Sequence, residues 1–210
     1  MRFEDRLFLT GATRTGKSTL ARALFLAAPA PRLVIDPADS KLTNVPGAVT
    51  FSDPGRATND AGENWRTAAT ARFVPTDPDD MDAYNRVYSW AFDHFPRFLW
   101  LDEAGQVMPS SGYPRAANRL VVQGAKRRLG HMALHTRPRE VARSLIAQAA
   151  HVVLFQLPAP EDVAYVAGLM SLPRAFLDWH VARLPERGFL WWEVRRRRLI
   201  VCPPLRLAAA

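Results

Sequence analysis

Eight consecutive residues, Gly11-Ala12-Thr13-Arg14-Thr15-Gly16-Lys17-Ser18, match the spacing G-x-x-x-x-G-K-[ST] with no mismatch. Glycine at positions 11 and 16 lets the backbone curl so that successive N–H groups, through Thr19, converge on phosphate oxygens. The start of a helix just after the loop adds the positive end of its dipole. Lys17 is then placed to bridge β- and γ-phosphates, and the Ser18 hydroxyl to ligate Mg²⁺. The spacing predicts a nucleoside triphosphate site.

A second group of residues supplies the carboxylates that such a site needs. Phe98-Leu99-Trp100-Leu101 is an apolar run that ends in Asp102-Glu103. At the end of a buried strand, Asp102 would hold the Mg²⁺ shell, and Glu103 would orient and polarise an attacking water. A water-directed glutamate predicts hydrolysis rather than phosphorylation of a metabolite. His131 and His135 share an i,i+4 spacing, but no third ligand lies near them in sequence, and a metal site is not expected there. Asp36-Pro37 reads as a turn at a strand end close to the loop.

These residues must be carried by a sheet. Leu7–Thr10, Leu33–Ile35, Arg72–Val74, Phe98–Leu101, Met132–Leu134 and Val152–Phe155 are short apolar runs of the kind buried on both faces. Between them, helices are expected over Thr19–Ala28, Met81–His94, residues 115–128 and residues 139–149. The second is capped by Asp79 or Asp80 and has Tyr84, Val87, Tyr88 and Ala91 on one face. Residues 37–70, rich in Pro, Gly, Ser, Thr, Asn and Asp, read as a surface excursion. Gly188–Leu205 alternates apolar and basic residues and predicts an antiparallel hairpin. The expectation is one α/β domain over 1–210, with a mostly parallel central sheet flanked by helices and a C-terminal hairpin.

Composition sets outer bounds. The chain has 210 residues, 48% apolar and 23% charged, which is globular rather than disordered. No stretch reaches the roughly 18 uninterrupted apolar residues of a membrane span, and the charged N-terminus lacks a secretory pattern. One cysteine, Cys202, excludes an intrachain disulfide and a Cys-cluster zinc site. A soluble protein is expected. The net charge is +8, carried almost wholly by arginine, since Lys17, Lys41 and Lys126 are the only lysines. A GC-rich coding sequence accounts for the preference for arginine over lysine. It does not account for the net charge, which favours a polyanionic partner. Arg195–Arg198 is the densest charge, flanked by Trp191-Trp192; it reads equally as a solvated hairpin tip or a DNA contact.

Together, GATRTGKST, LVIDPADS, RFLWLDEAG, GAKRRLG, ALHTRP and AAHVVLFQL resemble the FtsK–HerA superfamily of P-loop ATPases. Within it, the chain resembles genome-packaging ATPases of tailless, internal-membrane viruses and the related Zot-like phage proteins. The resemblance runs from about residue 6 to 170 and implies a RecA-like core using ATP and Mg²⁺. It also implies a hexameric homo-oligomeric ring that threads double-stranded DNA without sequence preference, with a capsid or membrane-protein portal as partner. The location implied is the host cytoplasm or the packaging vertex of the virion. Thr136, in His135-Thr136-Arg137-Pro138, stands where the family has a γ-phosphate-sensing glutamine, and its hydroxyl has a shorter reach. An arginine reaching into the neighbouring subunit is implied in Lys126-Arg127-Arg128-Leu129-Gly130, Arg127 first and then Arg128. Two alternatives stay open: a Zot-like DNA-export ATPase, whose relatives usually carry a membrane segment not seen in this sequence, and a small-molecule P-loop kinase, which Glu103 argues against.

Overall fold

The computed structural model describes residues 1–157 and 159–205, so the domain expected over 1–210 runs past the described residues at its C-terminal end. Nine strands join one sheet: β1 Arg6–Thr10, β2 Arg32–Ile35, β3 Val49–Phe51, β4 Thr70–Phe73, β5 Arg97–Leu101, β6 Leu129–His135, β7 His151–Leu154, β8 Phe189–Glu193 and β9 Arg198–Cys202. Their spatial order is β3-β4-β2-β5-β6-β1-β7-β8-β9. The strands from β3 to β7 pair in parallel, while β8 and β9 run antiparallel as the expected C-terminal hairpin. Strand β6 lies between β1 and β5, so the loops leaving these three strands are neighbours at one edge of the sheet.

The side-chain alternation of the strands builds two apolar layers. Leu7 and Leu9 of β1, Val34 of β2 and Trp100 of β5 pack with Phe25 of helix α1 (Lys17–Leu26). On the opposite face, Phe8, Leu33, Ile35, Leu99 and Leu101 pack beneath helix α2 (Met81–Asp93) and its neighbours. Asp80 caps α2 by accepting the Ala83 N–H at 2.8 Å, and Tyr84, Val87, Tyr88 and Ala91 are all buried, as the spacing predicts. Helix α3 spans Ala104–Val107, directly after Glu103.

The structure departs from the sequence-based expectation in four places. The segment 37–70 is anchored to the sheet: β3 lies inside it, and Trp65 is fully buried, stacked on Phe51 at 3.8 Å and edge-on to Trp90. Its composition reads as loop because a three-residue strand and one tryptophan leave little periodic signal. The helix expected over 115–128 stops at Gln123 (α4, Arg115–Gln123) and tightens into a 3-10 turn over Gly124–Arg127 before Arg128 takes a left-handed conformation, φ 55°. The helix expected over 139–149 is a 3-10 turn, Pro138–Glu140, followed by α5, Arg143–Ala147. Helices α6 (Pro160–Met170) and α7 (Arg174–Ala182) fill a stretch to which the sequence reading assigns no element. Among the described residues, no helix is long and apolar enough to cross a membrane.

Candidate functional site

The glycine-rich loop leaves β1 at its carboxyl end and enters α1 at Lys17. Gly16 caps the helix at φ 103°, a backbone region that a side chain resists. Gly11 has φ 151°, and a Cβ there would lie 2.5 Å from the Phe155 Cβ, because β7 passes immediately alongside. The loop is further fixed by the Ala12 N–H donating to the Gln156 carbonyl (2.6 Å) and the Thr15 hydroxyl donating to the Ala12 carbonyl (2.7 Å). The Lys17 ammonium lies inside the curl and donates to the carbonyls of Gly11 and Ala12, both at 2.7 Å. Burial lowers its pKa, opposed by the nearby Glu103 and Asp102 carboxylates. Thr13 and Arg14 are exposed at the tip, while Thr15, Ser18 and Thr19 are half-buried.

Beside the loop lies a cavity of about 620 Å³ lined by Arg14, Lys17, Ser18, Leu42, Phe155 and Arg187, among others. Its walls away from the glycine loop come from residues that the sequence reading passed over: Leu42, Phe155, Phe189 and Arg187. An apolar wall with aromatic rings beside a phosphate cradle suits a nucleoside. No local signal marks these residues, since three separate segments supply them.

The two carboxylates stand where β5 ends. Asp102 is buried, and its carboxylate accepts the Trp100 indole N–H at 3.2 Å. Burial, followed by the charges of Asp36 and Glu103, pushes its pKa up to about 7. Such a carboxylate is short of positive charge, and this is an electrostatic fit to a divalent cation. Among the described residues, no group of three or more His, Cys, Asp or Glu side chains could hold a metal unaided. Mg²⁺, which keeps several waters and shares substrate phosphates, suits a site with the Ser18 hydroxyl and one carboxylate. There it would neutralise charge developing on the phosphates. Asp36 itself is fully buried, paired with Arg72 at 2.5 Å and hydrogen-bonded by Thr43, so it organises the turn rather than facing the cavity.

Glu103 is half-exposed and occupies a left-handed backbone conformation at φ 42° and ψ 56°. A non-glycine residue held in that region is a local strain that the surroundings must sustain. Its carboxylate lies 3.3 Å from His135 Nδ1, and this hydrogen bond is the main cause of its lowered pKa. By spacing, His135 pairs with His131, and in ALHTRP it stands just before Thr136; neither position signals a contact with Glu103. In the strand, His131 and His135 are separated by about 13 Å at about 3.3 Å per residue, and His131 is fully buried. Thr136 follows His135 at the end of β6, half-buried, and its carbonyl accepts the Thr10 hydroxyl at 3.3 Å. The interposed β6 thus brings His135 and Thr136 between the phosphate loop and Glu103.

The arginines gather at the other end of the sheet. Lys126-Arg127-Arg128 precedes β6, roughly 23 Å from His135 by seven strand residues at about 3.3 Å each. The Arg127 guanidinium packs on the rings of Phe92 (4.3 Å) and Phe95 (5.1 Å), whereas Arg128 is exposed. The turn carrying Arg195–Arg198 lies at the same edge, because Glu193 at the end of β8 pairs with His151 at the start of β7. A cavity of about 630 Å³ between these segments is lined by Arg2, Arg6, Ala125, His151, Arg195 and Arg196, with acidic residues among them. Trp192 beneath the turn is buried and Trp191 donates to His151 Nδ1 at 3.1 Å, so both pack rather than stand open to a ligand.

No family model and no curated protein matches the sequence. The fold, however, is found in solved structures. Over 98% of this chain and 100% of the other, it is similar to the genome packaging NTPase B204 from Sulfolobus turreted icosahedral virus 2 in complex with ATP-gammaS, with a TM-score of 0.78 at 14% identity. VirB4 of Thermoanaerobacter pseudethanolicus matches over 96% of this chain and 90% of that one, with a TM-score of 0.65 at 13% identity. The N-terminal domain of zonular occludens toxin from Neisseria meningitidis matches over 96% and 95%, with a TM-score of 0.50 at 10% identity. The chain has the P-loop ATPase fold, and the resemblance carried by GATRTGKST, RFLWLDEAG and ALHTRP to packaging ATPases and Zot-like proteins extends to the architecture as a whole.

Proposed function

We propose that this chain is the ATP-hydrolysing subunit of a motor that moves double-stranded DNA into a capsid, acting as a homo-oligomeric ring, hexameric by resemblance. One observation carries the reading. The triphosphate cradle, Asp102 and Glu103 share one edge of the sheet, while Lys126–Arg128 lies at the opposite edge, beyond the reach of its own cradle. An arginine so placed completes a nucleotide site only in a neighbouring copy, as a ring of subunits packed edge to edge would provide. Hydrolysis would then proceed with Lys17 and the loop N–H groups holding the phosphates, Ser18 and Asp102 holding Mg²⁺, and Glu103 aiming water at the γ-phosphorus. Thr136 would contact that phosphate through its hydroxyl. Arg127 is packed on its own Phe92 and Phe95 and Arg128 lies over Phe3 at 5.5 Å, but Arg128 is the more exposed of the two, and both stand as candidates for the trans role.

Similarity of fold to a protein named as a genome packaging NTPase supports the reading, as does the net charge of +8. DNA held through its phosphates is bound without sequence preference, and affinity falls steeply with salt. Duplex binding measured with ATP present across a tenfold range of salt tests this. A steep fall in affinity, alike for unrelated sequences, is expected; affinity that does not change with salt would refute DNA as the partner.

A further inference from the structure

His135 has an arrangement that neither the motif spacing nor the hydrolytic reading requires. Its ring is 11% exposed and lies between two carboxylates, with Nδ1 3.3 Å from Glu103 and Nε2 3.1 Å from Glu140. The ring rests on Gly105, whose N–H points at Nδ1 from 3.3 Å. A Cβ at Gly105 would lie 2.5 Å from both Cε1 and Nε2. The glycine of the Asp-Glu-Ala-Gly sequence is therefore the floor on which this imidazole sits. Glu140 is backed in turn by Arg137 at 3.8 Å, and Arg137 reaches Asp162 (3.3 Å) and Glu161 (3.5 Å) in the first turn of α6.

We propose that His135 is the positioning residue for Glu103: it holds the carboxylate that aims the water, while Glu140 and the Gly105 floor hold the imidazole. The inference rests on the hydrolytic reading above. Glu103 needs such support because its backbone is strained and its side chain is half-exposed, so a carboxylate without a tether would sample several rotamers. The groups facing His135 are Glu103 from the end of β5, Glu140 from the 3-10 turn and the Gly105 N–H from α3. Lys17 acts on Glu103, and Arg137 acts on Glu140. A protonated ring donates to both carboxylates at once, whereas a neutral ring that keeps its proton on Nε2 toward Glu140 accepts the Gly105 N–H at Nδ1 and releases Glu103. Burial alone would lower the His135 pKa, but the two carboxylates outweigh it and the net direction is upward. The clamp is thus complete on the acid side of that raised value and opens above it.

The test is steady-state ATPase activity of the full chain against pH, with nucleotide affinity followed separately. His135→Ala is expected to lower kcat by about ten- to a hundred-fold, the scale of a misplaced reacting group, with KM for ATP unchanged. His135→Gln, whose amide donates at every pH, is expected to recover part of kcat and to lack the decline that the wild type shows on the alkaline side. Glu140→Gln, at an exposed position, is expected to move that decline to lower pH. If His135→Ala does not fold, the loss of the alkaline decline in His135→Gln still decides the matter. Wild-type kcat and pH profile in the His135 variants, beside an inactive Glu103→Gln, would overturn the proposal. So would a His135→Ala enzyme faster than the wild type. A wild type with no turnover at all would instead overturn the hydrolytic reading, and this inference with it.

Discussion

Substituting alanine separately at the two loop glycines distinguishes backbone conformation from crowding. At Gly16 the added Cβ meets the Phe155 ring at 3.6 Å and Arg187 at 3.9 Å, ordinary contacts, so the cost is conformational: φ 103° is a region a side chain resists. Strain of that kind costs about 1–3 kcal/mol. Gly11 carries the same kind of strain at φ 151°, and its Cβ would also lie 2.5 Å from the Phe155 Cβ. That contact is with a β-carbon fixed to the backbone just past β7, not with a flexible side-chain end. Overpacking in such a place adds about 1–3 kcal/mol. For a chain of this size, about 2–4 °C of melting temperature is lost per kcal/mol. Gly11→Ala should therefore melt about 2–12 °C below Gly16→Ala, and both below the wild type. Thermal unfolding by circular dichroism measures this directly. Repeating it with saturating ATP checks the function of the loop: the wild type should gain about 2.7 kcal/mol at a hundred times Kd, and Gly16→Ala should lose most of that gain. A Gly11→Ala protein at least as stable as Gly16→Ala would refute the close approach of β7 to the loop.

Two further predictions concern the interface and the metal. If Arg128 acts across a subunit boundary, Arg128→Ala should lose about 10³–10⁵ in turnover while still binding ATP. Mixing Arg128→Ala with Glu103→Gln subunits should restore part of the activity, and failure of the mixture to recover would count against a shared site. Asp102, at about 7 against an ordinary 3.8, keeps its proton in the folded chain over a window where the unfolded chain has lost it. Stability from this group therefore falls as pH rises from about 4 to 7, and a bound cation should reverse the loss. The extra thermal stabilisation given by Mg²⁺ over ATP alone should be larger at pH 8 than at pH 6, and Asp102→Asn should show no such difference. An equal gain at both pH values would contradict the role of Asp102 in holding the cation.

The sequence was informative wherever chemistry lies within one contiguous stretch. Gly11–Ser18 contains its own strand exit, turn and helix start, and Phe98–Glu103 contains both the buried strand and the acids it presents. The C-terminal hairpin and the cap of α2 were legible for the same reason. What escaped was made by strand order. His135 meets Glu103 because β6 lies between β1 and β5, and the 32 positions separating them in sequence offer no local trace of that contact. The apolar wall beside the phosphate loop is assembled from three segments in the same way. The missed α6 is different, because its signals were present. Pro160 stands at its start, Glu161 and Asp162 are in its first turn, and Val163, Val166, Ala167 and Met170 recur at helical spacing. Trp65 was hidden by the turn-forming residues around it, although a lone tryptophan in a polar segment commonly marks an anchor.

A DNA motor must couple ATP turnover to DNA. The most direct measurement is the steady-state ATPase rate at increasing concentrations of double-stranded DNA, at protein concentrations where the chain oligomerises, with Lys17→Ala and Glu103→Gln beside the wild type. The prediction is a rate that rises and saturates with duplex. Lys17→Ala should lose turnover together with nucleotide binding, and Glu103→Gln should lose turnover by about 10²–10⁴ while still binding ATP. A rate indifferent to duplex DNA in an assembled, ATP-binding protein would contradict the motor.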